Sequence, residues 1–248
     1  SSKTSYFMIL LLCSGDIETL PGPNNILLGK GLRVVHQNVR GLLTNFEGLH
    51  EIIHSNKTLD IITLSETHIL ENGYNDINNI YDICNYSFIS RNRTSGKRGG
   101  VAMYIKNNID WIRRDDLEKD TTECIWIEIL VKNAKNILLA SYYRPPDRSH
   151  YLPPTFNSDL NDTIYLVVKK LKDIMILGDF NVDYSVRYVN QNFKDIISLH
   201  GFTQMIKSPT RITTESSTTI DIILSNNPSH ISKSEVISTS LSDHEMVG

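Results

Sequence analysis

The chain reads as a single α/β domain, and three observations carry that reading. The run Ile174-Met175-Ile176-Leu177 is too short for a helix and right for a buried strand. Gly178-Asp179-Phe180-Asn181 follows at once, with polar side chains where α/β folds keep their chemistry. Apolar runs of this kind alternate along the chain with stretches whose apolar residues recur every three or four positions. No internal repeat or low-complexity tract breaks the alternation.

Residues 1–25 read as an apolar leader and linker ahead of a domain over 26–248. Lys3 followed by Tyr6–Cys13 has the character of a short signal-peptide core. It is too short to span a membrane. Leu10–Pro23 also resembles the ribosome-skipping 2A-like peptides that end D-x-E-x-N-P-G-P. Asp16, Glu18, Pro21, Gly22 and Pro23 match, and Leu20 stands where that pattern has Asn. Pro21–Asn25 reads as linker.

Within the domain, Leu32–Val35 is a first strand, running into His36-Gln37-Asn38-Val39-Arg40-Gly41. Leu42, Phe46, Leu49 and Ile53 have helical spacing. Asp60–Leu64 is a second buried strand, ended by Ser65-Glu66-Thr67-His68. Tyr86–Ser90 and Val101–Ile105 are strands flanking a basic loop, and Cys124–Val131 with Ile137–Tyr143 reads as a hairpin around Asn133–Asn136. Pro145, Pro146, Pro153 and Pro154 bracket a loop. Phe156, Leu160, Ile164, Val167 and Leu171 predict a helix before the strand that ends in Asp179. A helix over Phe193–Leu199 and a strand over Ile220–Leu224 complete the series.

Composition narrows the class. Hydrophobic content of 40% and charged content of 21% are ordinary for a globular protein. A net charge of −3 means that any contact with nucleic acid must come from a local patch. Arg91, Arg93, Lys97, Arg98 and Lys106 supply one, because their segment contains no acidic residue. Cys13, Cys84 and Cys124 are odd in number and widely spaced, which argues against a disulfide framework and for a reducing compartment.

Polar side chains recur in one pattern, at the ends of buried strands: Asn38, Glu66, Tyr143, Asp179 with Asn181, and Asp243 with His244. Asp221 is a carboxylate within an apolar run, where a charge is costly without a partner. A different chemistry is spelled by His50-Glu51-Ile52-Ile53-His54, which is H-E-x-x-H on a predicted helix and fits a zinc metallopeptidase. Its extension is missing, since Ser-Asn-Lys-Thr-Leu-Asp occupies residues 55–60, and no third ligand stands at a familiar spacing.

The pieces QNVRG (37–41), LSETH (64–68), GGVAMYI (99–105), YRPP (143–146), ILGDFNVD (176–183), SPTR (208–211), TIDIIL (219–224) and SDH (242–244) resemble, in order, the endonuclease/exonuclease/phosphatase family with the DNase I-like fold. NVRG, YRPP and PTR bring the chain nearest to the apurinic-type endonuclease domains of non-LTR (LINE) retrotransposons. Repair-type or secreted nucleases and phosphatases of the same fold are the alternative. The resemblance implies a four-layer α/β sandwich of two mixed β-sheets flanked by helices. It also implies a magnesium-dependent DNA endonuclease, with Mn2+ as the substitute ion.

Carried over position by position, the resemblance gives Glu66 and Asp243 to the divalent ion, whose hard oxygen preference suits them. Asp179 would orient or deprotonate the attacking water. Asn38 and Asn181 would hydrogen-bond the phosphate or the groups beside the water, and Tyr143 would reach a phosphate oxygen. His244, kept charged by Asp221, would stabilise the pentavalent transition state. Thr210 matches a phosphate-touching threonine. Repair-type relatives carry an acidic residue where this chain has Arg40, which is freed for the DNA backbone or for structure, and the polar segment 213–218 matches a loop that tunes target sequence. The expected partners are double-stranded DNA, the element's RNA and a reverse transcriptase in the full-length protein, with no membrane. The domain is expected to be monomeric, made in the cytoplasm and acting in the nucleus. The chain ends just after His244, where the family continues into a closing strand.

Overall fold

The computed structural model describes residues 31–69, 80–93 and 98–248. The leader, the 2A-like segment and Lys97 lie outside them. In chain order the elements are β1 Val34–Asn38, α1 Leu42–Ser55, β2 Ile61–Ser65, β3 Tyr86–Arg91, β4 Val101–Lys106, β5 Trp111–Arg113, β6 Glu123–Ile129 and β7 Ile137–Tyr143. They continue with α2 Phe156–Val168, β8 Asp173–Asp179, α3 Gln191–Leu199, β9 Thr203–Gln204, β10 Arg211–Ile212, β11 Ser217–Thr218, β12 Asp221–Ser225, β13 Val236–Ile237 and β14 Met246–Val247.

Two six-stranded sheets form, ordered β13-β14-β1-β2-β4-β3 and β5-β6-β7-β8-β12-β9, with β10 and β11 as a separate hairpin. Both sheets are mixed. β1 runs parallel to β2 and β7 parallel to β8, while their other neighbours are antiparallel. The period of two along each strand sorts side chains into layers. Met175 and Leu177 join Val34, Ile61, Met103, Ile127 and Ile223 between the sheets. Ile174 and Ile176 face the other way, onto Phe156, Leu160 and Ile164 of α2 and Phe193 and Ile197 of α3. On the far side Val35, Ile62 and Leu64 pack against Leu42, Leu49 and Ile53 of α1. Helices, sheet, sheet and helix are the four layers that the motifs imply.

The sequence expectations hold for every strand of five residues or more, with small shifts at the ends. Two differences matter. Asp221 is the first residue of β12 rather than an interior one. Five strands of two residues and one of three were not foreseen. Among the described residues, no helix is long and apolar enough to cross a membrane.

Topology then gathers the polar residues. Parallel β1 and β2 end together at the pair Asn38–Ser65, and parallel β7 and β8 end together at Tyr143–Asp179. β12 runs against β8, so its first residue, Asp221, lies opposite the last residue of β8, Asp179. β14 runs against β1 with His36 opposite Val247, which brings the preceding Ser242–His244 to the Asn38 end. One glycine is required by a close approach here. A Cβ on Gly178 would lie 2.2 Å from the carbonyl oxygen of Tyr142 on β7.

Candidate active site

Asn38 joins the two sheets. Its Nδ2 donates to Glu66 Oε1 at 3.0 Å and to Asp179 Oδ2 at 2.8 Å, and its Oδ1 accepts the Arg40 N–H at 3.0 Å. Both amide hydrogens are therefore spent on carboxylates. Of the two roles expected from sequence, a bond to phosphate or to the groups beside the attacking water, Asn38 has the geometry of the second: it is a bracket between the two carboxylates.

Glu66 and His68 both sit in the left-handed region, at φ 51° and 55°, where non-glycine backbone persists only if its surroundings hold it. The hold is visible. Helix α1 has no side-chain cap. Its first N–H groups, from Gly41 and Leu42, donate instead to the carbonyls of Glu66 and Thr67, each at 2.8 Å. His68 Nε2 lies 3.2 Å from Glu66 Oε2. Burial works against the Glu66 charge, but hydrogen bonds from His68 and Asn38 and the charges of His68 and Arg40 outweigh it. The carboxyl is held down at about 2.

Asp179 takes the Asn181 N–H on Oδ1 at 2.9 Å. Burial, and then the charge of Asp221, push its carboxyl up to about 7, with His244 opposing. Asp221 Oδ2 meets His244 Nδ1 at 2.9 Å. Burial would lower the His244 pKa, but the hydrogen bond and charge of Asp221, with Asp179 and Asp243 adding, carry it above the ordinary imidazole value. Asp179, Asp221 and His244 place one ligating atom each within 4.8 Å of one another. Tyr143 is buried, and its phenol is pushed up by burial, then by Glu66 and Asp179 nearby. Asn181, at φ 48°, donates from Nδ2 to the Arg144 carbonyl at 2.9 Å, which leaves it one amide hydrogen for a substrate.

Several other assignments change. Asp243 is held by two guanidinium groups, Arg40 Nη1 at 2.8 Å and Arg211 Nε at 2.9 Å, so an ion bound there shares it with both. Of the two roles left open for Arg40, DNA backbone or structure, its ion pair with Asp243 is the structural one. Thr210 is fully buried, and its Oγ1 accepts the N–H groups of Ile220 and Asp221 at 3.1 and 3.0 Å. It braces the Asp221 strand instead of touching phosphate at a surface. Arg91 and Arg93 are not a displayed basic patch, because acidic partners reach them from β6 and its approach. Arg91 pairs with Glu118 and Asp120, each at 3.5 Å. Arg93 Nε binds Glu123 at 2.8 Å, with its guanidinium 4.2 Å over the Tyr151 ring. Lys106 is paired with Asp60 at 3.3 Å. Arg98 is exposed. His50 and His54 of H-E-x-x-H are exposed on α1 with their rings 6.2 Å apart. Among the described residues no third ligating group joins them.

Three residues went unforeseen. Gln37, fully buried, donates to the carbonyls of Asn38 and His244, each at 2.9 Å. Ser242 Oγ donates to the Asn38 carbonyl at 2.9 Å. Arg144, also buried, holds Asp147 and the Phe180 carbonyl and offers its own carbonyl to Asn181. Gln37 was detectable: β1 is buried at all five positions, so each polar residue in it needs a partner.

Compared with known proteins, residues 35–244 match the model of the endonuclease/exonuclease/phosphatase family. No curated protein matches the chain. Among solved structures, the AP endonuclease LMAP from Leishmania major superposes with a TM-score of 0.74 at 12% identity, over 87% of this chain and 86% of its own. The endonuclease domain of TRAS1, a telomere-specific non-LTR retrotransposon, gives 0.65 at 16% identity, over 87% and 95%. The 3′-5′ exonuclease NExo from Neisseria meningitidis gives 0.64 at 13% identity, over 86% and 97%. At these identities the likeness is one of fold, and it is the DNase I-like fold. With the family model covering most of its length, the chain belongs to the endonuclease/exonuclease/phosphatase family.

Proposed function

We propose that the chain is a Mg2+-dependent DNA endonuclease that nicks duplex DNA and leaves a 3′-hydroxyl end. The observation that carries this reading is the buried Asp221–His244 pair, set beside Asp179, with Asn38 bracketing Asp179 to Glu66. A raised imidazole aimed into a site with a carboxylate near neutrality is an arrangement for phosphodiester hydrolysis.

The donor set fits a hard divalent ion. Glu66 stays anionic and Asp243 offers a second carboxylate. Glu66 with Asp243 would hold Mg2+, which when bound offsets charge on the departing 3′ oxygen. Asp179 receives the proton of the attacking water, a task matched to a carboxyl near 7. Charged His244 donates to the pentavalent phosphate, and Asp221 holds it in place and keeps it charged. Asn181, with its one uncommitted amide hydrogen, and the Tyr143 hydroxyl orient the phosphate. Exposed Arg98 meets the DNA backbone.

The likeness to the TRAS1 endonuclease domain supports a retrotransposon setting. There the 3′-hydroxyl would prime reverse transcription of the element's RNA, in the nucleus, by a reverse transcriptase elsewhere in the full-length protein. Incubation with supercoiled plasmid tests the core claim. Mg2+ yields open circles, EDTA abolishes them, and the nicked ends are extended by a DNA polymerase without further treatment. Release of phosphate from 3′-phosphate ends with intact plasmid left untouched would reassign the chain to phosphatase activity.

A further inference from the structure

Asp221 faces two imidazoles. Its Oδ2 takes His244 at 2.9 Å. Its Oδ1, buried and without a hydrogen bond, lies 4.0 Å from Nε2 of His36. His36 is the central residue of β1 in the first sheet, Asp221 opens β12 in the second, and both are fully buried. The alternation of β1 turns His36 the same way as Val34, towards the other sheet. The imidazole lies in a layer that is otherwise mostly apolar, and nothing in the reaction proposed for the site uses it.

The hydrogen bonds fix its tautomer. Thr63 Oγ1 gives its hydrogen to the Val35 carbonyl at 3.1 Å. It can therefore only accept from His36 Nδ1, 3.0 Å away. Nδ1 carries the proton, and Nε2 presents a lone pair that Ser65 Oγ reaches at 3.3 Å. Burial, against the pull of Asp221, lowers the His36 pKa to about 4, so the ring is neutral. A neutral ring with its lone pair towards Oδ1 cannot donate to Asp221.

We propose that His36 is a positioning residue for the Asp221–His244 pair. Locked in one neutral tautomer by Thr63, it fills the space behind the carboxylate and denies Oδ1 a competing donor. The charge of Asp221 is then spent on His244. A carboxylate shared with a second donor holds its first partner less strongly. The inference rests on the nuclease reading, which gives His244 its task.

The test is a double-mutant cycle on plasmid nicking by the full chain with Mg2+. His36→Asn keeps an amide N–H for Thr63 near the place of Nδ1 and removes the group facing Asp221. It is expected to lower kcat about tenfold, the scale of lost outer contacts, with KM unchanged. In a His244→Ala background the same substitution is expected to cost nothing further, because its route of action is gone. A merely structural role would reduce both backgrounds alike, and that result overturns the proposal. So does full kcat in His36→Asn beside an active wild type, which leaves the nuclease reading standing. A wild-type chain that does not nick overturns both. If His36→Asn does not fold, Thr63→Val frees the ring to carry its proton on Nε2 against Asp221. The same kcat loss is then expected, and wild-type turnover in folded Thr63→Val overturns the proposal.

Discussion

Asp179 and Asp221 are direct cross-strand partners, two fully buried carboxylates opposed on neighbouring antiparallel strands. Like charges so placed disfavour each other's ionisation. Among the described residues, Asn38 on Asp179 and His244 on Asp221 are the side-chain hydrogen-bond donors to the pair. The pair is costly for the fold, and with burial it raises the Asp179 carboxyl to about 7, the property the proposed base role calls on.

Asp179→Asn therefore separates stability from activity. The folded carboxyl titrates at about 7 against an ordinary 3.8. Between those values the folded state retains a proton that the unfolded chain has released. Its contribution to stability falls as pH rises through that window. The stability of Asp179→Asn relative to wild type is expected to rise from pH 4 to pH 8 in urea melts without added metal. A difference that stays flat with pH would remove the shift. Nicking by the variant is expected to drop by about 100-fold or more, the scale of a lost general base.

The basic residues separate in the same manner. Arg98 is exposed, while Arg91 and Arg93 are held by Glu118, Asp120 and Glu123. Arg98→Ala is expected to lower the slope of log affinity against log salt by about one, as for a single phosphate contact. Arg93→Ala is expected to leave the slope alone and cost about 1–3 kcal/mol of stability, because Glu123 loses its guanidinium partner and keeps the Gly100 N–H. Fluorescence anisotropy on a labelled duplex across a salt series, with melts of both variants, measures the two effects. An unchanged slope for Arg98→Ala would free the protein of that contact.

Why Arg91 and Arg93 misled the sequence reading is physical. Their own segment holds no acid, and the partner of Arg93 comes from thirty residues away, across the approach of β3 to β6. Local charge patterning cannot register a non-local pair. The converse holds for Asn38, Glu66, Asp179, Asp221 and His244, which stood out because polar groups next to buried strands need partners. Arg144 and Ser242 act on backbone carbonyls or through their own, a role that leaves no mark on residue type. The strands β9, β10, β11, β13 and β14 have two residues each. No period can be read from two positions; β9 and β14 are set by pairing with longer β12 and β1, while β13 pairs with β14 and β10 with β11, each as short as itself.

Gly178 is a further case in which the motif has a packing cause. With a Cβ at 2.2 Å from the Tyr142 oxygen, Gly178→Ala must push β7 and β8 apart at the residues just before Tyr143 and Asp179. The expected cost is about 3 kcal/mol in urea denaturation. Nicking by the remaining folded protein should fall as well, because Tyr143 and Asp179 move with the strands. A variant as stable as wild type would show that the ladder has slack there.

Glu128 offers a control at the opposite end of the second sheet. On β6, Glu123 pairs with Tyr143 at the site end, whereas Glu128 pairs with Leu138 near the far end. Its buried carboxylate accepts from Arg114 at 2.6 Å, Asn136 at 2.7 Å and the Lys172 ammonium. Burial opposes its charge, but the bonds from Lys172, Asn136 and Arg114 prevail and hold the carboxyl at about 2, below its ordinary 4.5. The contribution is thus present above pH 4.5 and lost as pH falls towards 2. Glu128→Gln is expected to cost about 1–3 kcal/mol at pH 7, the range for hydrogen bonds to a charged group, and to close that gap with wild type as the solution is acidified. Nicking per folded molecule is expected to match wild type. Urea melts at pH 7 and pH 3 beside plasmid assays at pH 7 decide it. A loss of turnover at full occupancy of the folded state would mean that the two ends of the sheet are coupled.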